Sequence, residues 1–162
     1  MTERVNEVAV SPTRDERIAG AVAHGSVIVF GLGMLVAAII WLLQKDKSRY
    51  TASQALQSTV YQFVGFVINI ASWCCWGVVY AASFMPIILE PNRYADAPPA
   101  FFWISMALMI VPLILMGLWI LGGLWAGVRV LQGKPFRYLW IGSLVTRYME
   151  KDNEPAATTP AD

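Results

Sequence analysis

Few residues of this chain have the chemistry to hold or transform a ligand. His24 is the only histidine, set among Ala21, Gly25 and Ser26. An imidazole in such surroundings can ligate a haem or pigment metal, or accept a proton. It can equally serve as a hydrogen-bonded residue where two helices meet. Trp73, Trp76 and Tyr80 recur at i, i+3, i+7 and form one aromatic stripe on a helix. That stripe suits a partner subunit, a quinone or a pigment, or simple packing against neighbouring helices and lipid. Cys74 and Cys75 are adjacent and lack metal-ligand or CxxC spacing, so they read as small apolar filler. The sequence has no Gly-rich phosphate loop, nucleophile–base arrangement or metal-ligand pattern. It therefore predicts no enzyme, assigns no cofactor beyond the His24 option, and with a net charge of +1 gives no reason to expect nucleic acid.

The elements that position these residues follow from how charge is distributed. Of the 162 residues, 57% are hydrophobic and 14% charged, against roughly 25% charged in a soluble domain. No Asp, Glu, Lys or Arg falls between Ile18 and Gln44, Tyr50 and Leu89, or Ala97 and Val128. A helix needs about 20 apolar residues to cross a ~30 Å hydrocarbon core. The fold class is accordingly all-α: an integral membrane helical bundle, with transmembrane helices expected at about 20–43, 63–89 and 101–131. Residues 1–17 are mixed in charge and the run after them exceeds a secretory h-region, so the first stretch is expected to remain as an anchor.

The second stretch is too long for one crossing. Its front, 51–62, carries Gln54, Gln57, Ser58 and Gln62 on one face and is expected to lie at the interface or rise into the membrane. A four-span division is the alternative. Pro112 is expected to kink the third span. At 136–149, Phe136, Trp140, Leu144 and Tyr148 recur every four residues, which predicts a short amphipathic helix on the membrane surface. The membrane domain then covers 18–149, between polar tails at 1–17 and 150–162.

With three crossings, Lys45, Lys47, Arg49, Arg129, Lys134 and Arg137 share one side, against Arg14, Arg17 and Arg93 on the other. The positive-inside rule then puts the C-terminus in the cytoplasm and the N-terminus outside a bacterial inner membrane. Gly117, Gly123 and Gly127 offer a small-residue face for close helix approach, and Asn69, Gln62, Ser72 and Ser105 offer interhelical hydrogen bonds. The spans hold no ionisable group at depth, which argues against an ion-coupled transporter. Together these features predict a non-enzymatic subunit that packs against other membrane helices or itself in the bilayer. A channel-like translocation component and a haem-, pigment- or quinone-contacting subunit are the alternatives.

Several short motifs carry a resemblance. They are His24 early in the first span, Lys45-Asp46-Lys47-Ser48, Gln54-Ala55, and Gly133 with Phe136-Arg137-Tyr138. Over residues 17–142 the chain resembles a family of small bacterial multi-span membrane proteins of unknown function, related to the Tic-type import component of the chloroplast inner envelope. The resemblance implies four spans in the chloroplast members and offers no catalytic residues. Arg49-Tyr50 stands where Pro-Phe is usual there, and Leu139 where a proline is usual.

Overall fold

The structure is a computed structural model that describes residues 11–152, and among these every regular element is helical. In chain order the helices are α1 (Arg14–Gly25), α2 (Leu32–Gln44), α3 (Arg49–Ala82), α4 (Met85–Leu89), α5 (Ala100–Ala107), α6 (Ile110–Leu131) and α7 (Ile141–Asp152), with a 3₁₀ turn at Ser26–Ile28. Two helical segments, Arg49–Leu89 and Ala100–Leu131, are long and apolar enough to cross a membrane.

The first uncharged stretch is not a single helix. It is a hairpin of α1 and α2, which corrects the span expected at 20–43. Gly31 sits at φ +72°, a backbone that L side chains rarely adopt, and the chain reverses there. The reversal lays Ser26 against Gly33, and the Ser26 hydroxyl donates to the carbonyls of Ala23 (2.7 Å) and Gly33 (2.9 Å). At the open end, Thr13 and Glu16 form a capping box that starts α1. Glu16 Oε1 also accepts a 2.6 Å hydrogen bond from Ser48, the N-cap of α3. Residues 16 and 48 therefore lie at the same end, called basal below. Helices of 12 and 13 residues reach only about 18–20 Å, well short of ~30 Å of hydrocarbon.

α3 runs unbroken for 34 residues, about 50 Å. Of the two arrangements expected for 51–62, at the interface or rising into the membrane, the segment is continuous with the rest of α3 and buried against its neighbours. Thr51, Ala52, Gln54, Ala55, Gln57, Ser58 and Gln62 are all buried, packed against α1 and α2. The interruption expected from Pro112 falls slightly earlier, at Leu108–Met109, and divides the third span into α5 and α6. Pro112 has no N–H to return to Leu108, and the Val111 N–H bonds the Leu108 carbonyl instead (3.0 Å).

α6 returns antiparallel to α3. The Tyr61 hydroxyl donates to the Trp119 carbonyl (2.7 Å), and the Trp76 indole to the Ser105 carbonyl (2.9 Å). α6 ends in a Schellman turn: Gly133 adopts φ +78° and the Lys134 N–H bonds the Arg129 carbonyl (3.1 Å). The helix expected at 136–149 begins only at Ile141. Phe136 turns onto Trp125 and Tyr138, so it leaves the predicted apolar stripe, while Trp140, Leu144 and Tyr148 stay exposed.

Candidate functional site

The basal half of the bundle is held together by polar groups. Ala23 Oxygen, the carbonyl three residues before the 3₁₀ turn's first hydroxyl, accepts from three side chains: Ser26, Ser58 (2.7 Å) and Gln62 (3.0 Å). Gln62 Nε2 also donates to the hydroxyls of Ser26 and Ser58. The face of α3 that reads as polar in sequence thus satisfies the backbone of the α1–α2 reversal. Irregular backbone tolerates an apolar medium only when its polar groups are met in this way.

The next residue of α1 is His24, 1% exposed, whose ring meets α3 at Gln54, one turn closer to the basal end than Ser58. Its Nε2 faces Gln54 Oε1 (3.3 Å) and its Nδ1 faces the Tyr138 hydroxyl (3.2 Å). With the Gln54 oxygen, an acceptor only, turned to the ring, Nε2 carries the proton and Tyr138 donates to Nδ1. Burial, and secondarily Tyr61, pushes the Tyr138 hydroxyl well above its ordinary range, so it remains a donor. Tyr138 stacks on Tyr61 at 4.2 Å, and Phe136 meets both His24 and Tyr138 edge-on. Both imidazole nitrogens are thus engaged, and a metal ligand would have to displace Tyr138 or Gln54.

The other predicted residues divide between the two halves. Gly123 sits under Val27 of the 3₁₀ turn and Gly127 under Ala21 and His24, so Gly127 lies in the contact between α1 and α6 and Gly123 in that between the turn and α6. Gly117 has open space in front of it and makes no such contact among the described residues. Trp73, Trp76 and Tyr80 form a ladder, edge-on and then stacked, that continues to Phe84 and Phe102 at the distal end. Cys74 and Cys75 face outward rather than filling a core. Lys45 and Asp46 lie in the loop before α3, and Arg137 donates to Thr146 on α7 (2.9 Å). Of the motif residues, Gln54 and Tyr138 meet on His24, Ser48 caps α3, and Gly133 closes α6 against Arg17.

Sequence reasoning missed Gly65 and Arg17. Gly65 leaves the notch in α3 that receives the Trp119 indole. Arg17 donates to the Pro12 carbonyl (2.9 Å) beside Gly133. A glycine amid Phe63, Val64 and Phe66 was the available signal for the notch.

A protein-family model matches residues 15–145: MamF/MmsF, the magnetosome magnetite crystal formation protein family. The chain belongs to that family. The match spans α1 to the first part of α7 and so includes the whole His24 cluster. It replaces the Tic-type relation suggested by the short motifs, which are too brief to separate one group of small membrane proteins from another. Membership makes the chain a bacterial membrane protein of a magnetosome family, a more specific setting than the inner membrane expected above. Searches of the curated proteins and of the solved structures returned no match.

Proposed function

We propose that this MamF/MmsF protein is a non-enzymatic, two-span membrane component that supports magnetite crystal formation by organising other helices in the magnetosome membrane. α3–α4 and α5–α6 are the crossings. The α1–α2 hairpin enters and leaves from one side as a re-entrant element. Arg14, Arg17, Lys45, Lys47, Arg49, Arg129, Lys134 and Arg137 then share the basal side, with only Arg93 opposite among the described span-end cations. The positive-inside rule orients that basal side to the cytoplasm. This replaces the arrangement with termini on opposite sides, which required an odd number of crossings.

The observation that carries the reading is the contrast in what each half lacks. The basal half fills its own interior. The distal half is two helices with Val67, Ile68, Val78, Ile104, Leu108 and Ile114 exposed along them. Two helices cannot surround one another, so lipid or further helices complete that half, and its aromatic ladder offers rigid surface for the contact. Removal of the chromosomal copy, followed by electron microscopy of the crystals, tests the role. The expected result is altered crystal size or number, restored by the wild-type chain. Unchanged crystals in cells that lack the protein contradict it.

A further inference from the structure

We propose that the basal end binds one anionic phospholipid, its phosphate between Arg49 and Arg137 and its acyl chain in a slot beneath α7. The inference rests on the reading that the basal end lies at the membrane surface, but not on which side that surface faces.

Three cavities adjoin one another there. The first, about 320 Å³, is lined by Arg49, Tyr50, Ser53, Gln57, Arg137 and Thr146 among others. Among the described residues, its charged side chains are the two arginines. Thr146 holds Arg137 by the 2.9 Å bond described above. A second, about 280 Å³, shares Arg49 with the first and adds Lys45 and Asp46. Lys45, Arg49 and Arg137 against Asp46 leave the mouth cationic. The third, about 370 Å³, is lined by Trp41, Leu56, Val60, Leu144, Val145 and Tyr148. It shares Trp41 and Tyr148 with the second. Along α3 the lining changes from Arg49 and Ala52 to Leu56 and Val60, from charged to apolar within three turns. Guanidinium groups pair with phosphate through charge-assisted bonds, and an acyl chain needs an apolar slot beside them.

Gln57 stands in the wall of the same cavity. It lines the arginine cavity, is 2% exposed, and donates from Nε2 to Ser53 (3.2 Å), while Oε1 has no partner among the described residues. A buried amide group without a partner is costly. Oε1 has almost no accessible surface, so the amide belongs to the wall of the cavity and the phosphate is left to the two guanidinium groups. The site therefore offers two guanidinium groups to one anion.

The test uses the full-length protein in detergent, delipidated and then titrated with phosphatidylglycerol, phosphatidylcholine or inorganic phosphate, with bound lipid read by native mass spectrometry. The wild type is expected to retain one phosphatidylglycerol in preference to phosphatidylcholine. Arg49→Gln and Arg137→Gln each lower that occupancy by about tenfold in affinity, the scale of one lost charge-assisted bond. The Arg49→Lys, Arg137→Lys variant keeps the charge and retains the preference, which separates loss of the site from loss of fold. Val60→Trp fills the slot and weakens lipid without affecting inorganic phosphate. Equal retention of the neutral lipid overturns the proposal. So does phosphate binding undiminished in every variant while phosphatidylglycerol binding is absent, which describes a free-phosphate site.

Discussion

The two halves of α3 share one helix and face different surroundings. From Thr51 to Gln62 its buried face is Thr, Gln and Ser beside Ala52 and Ala55, and the polar side chains bond to α1 and to one another. From Phe63 to Ala82 only Gly65 and Asn69 are buried, and the outward side chains are apolar or aromatic. Helix packing in an apolar medium gains nothing from apolar contact alone, because lipid offers the same contact. Association there depends on close approach and hydrogen bonds. The basal half has both and makes a defined core. The distal half has the Trp76–Ser105 bond and a ring ladder, and leaves its remaining surface to other molecules.

Substitutions can break this contrast, and the largest effects belong to the basal half. His24→Leu leaves Gln54 and Tyr138 without their ring partners. Each orphaned buried group costs roughly 1–3 kcal/mol, so the unfolding midpoint in detergent should fall clearly. A variant as stable as wild type contradicts the bonded role of His24. Gly65→Ala puts a methyl group into the Trp119 indole. It is expected to cost about 1–3 kcal/mol, the usual range for overpacking, and to shift the tryptophan fluorescence. In the distal half, Trp76→Phe removes one hydrogen bond and keeps the ring, for about 0.5–1.5 kcal/mol, measurable by the same denaturation.

The smallest effect is on pH dependence. The Ser48 hydroxyl, then the Thr13 backbone N–H, hold the Glu16 carboxyl below its ordinary value. A lowered folded-state value means that the stabilisation is present above the ordinary value and is lost as pH falls through the folded one. Stability measured from neutral pH down to about pH 3 should therefore decline less steeply in Glu16→Gln than in wild type.

The helical class and the long apolar segments were legible in the sequence, since charge-free length is a direct statement about solvent. The polar face at Gln54, Gln57, Ser58 and Gln62 was legible too, but not its target. A polar helix face reads equally as an interface with water or with another backbone, and only the α1–α2 reversal decides which. That reversal was hidden because its turn carries no charge and no proline. Ser26, Gly31 and Gly33 make it with the residue types that membrane helices also use for close packing. Tyr138 stood out as a motif residue, but its contact with His24 was hidden for a similar reason. Phe136 and Trp140 suggested a continuous amphipathic stripe, whereas the chain stays irregular until Ile141 so that Phe136 and Tyr138 can reach His24.

The hairpin is the central claim, and side-specific labelling tests it most directly. In a chain with Cys74 and Cys75 changed to Ala, single cysteines at Thr13, Lys47, Lys134 and Arg93 would be exposed to a membrane-impermeant maleimide in sealed vesicles. The hairpin predicts that positions 13, 47 and 134 label from one side and position 93 from the other. Labelling of positions 13 and 47 from opposite sides would show that the first apolar stretch crosses the membrane once, and would contradict the account.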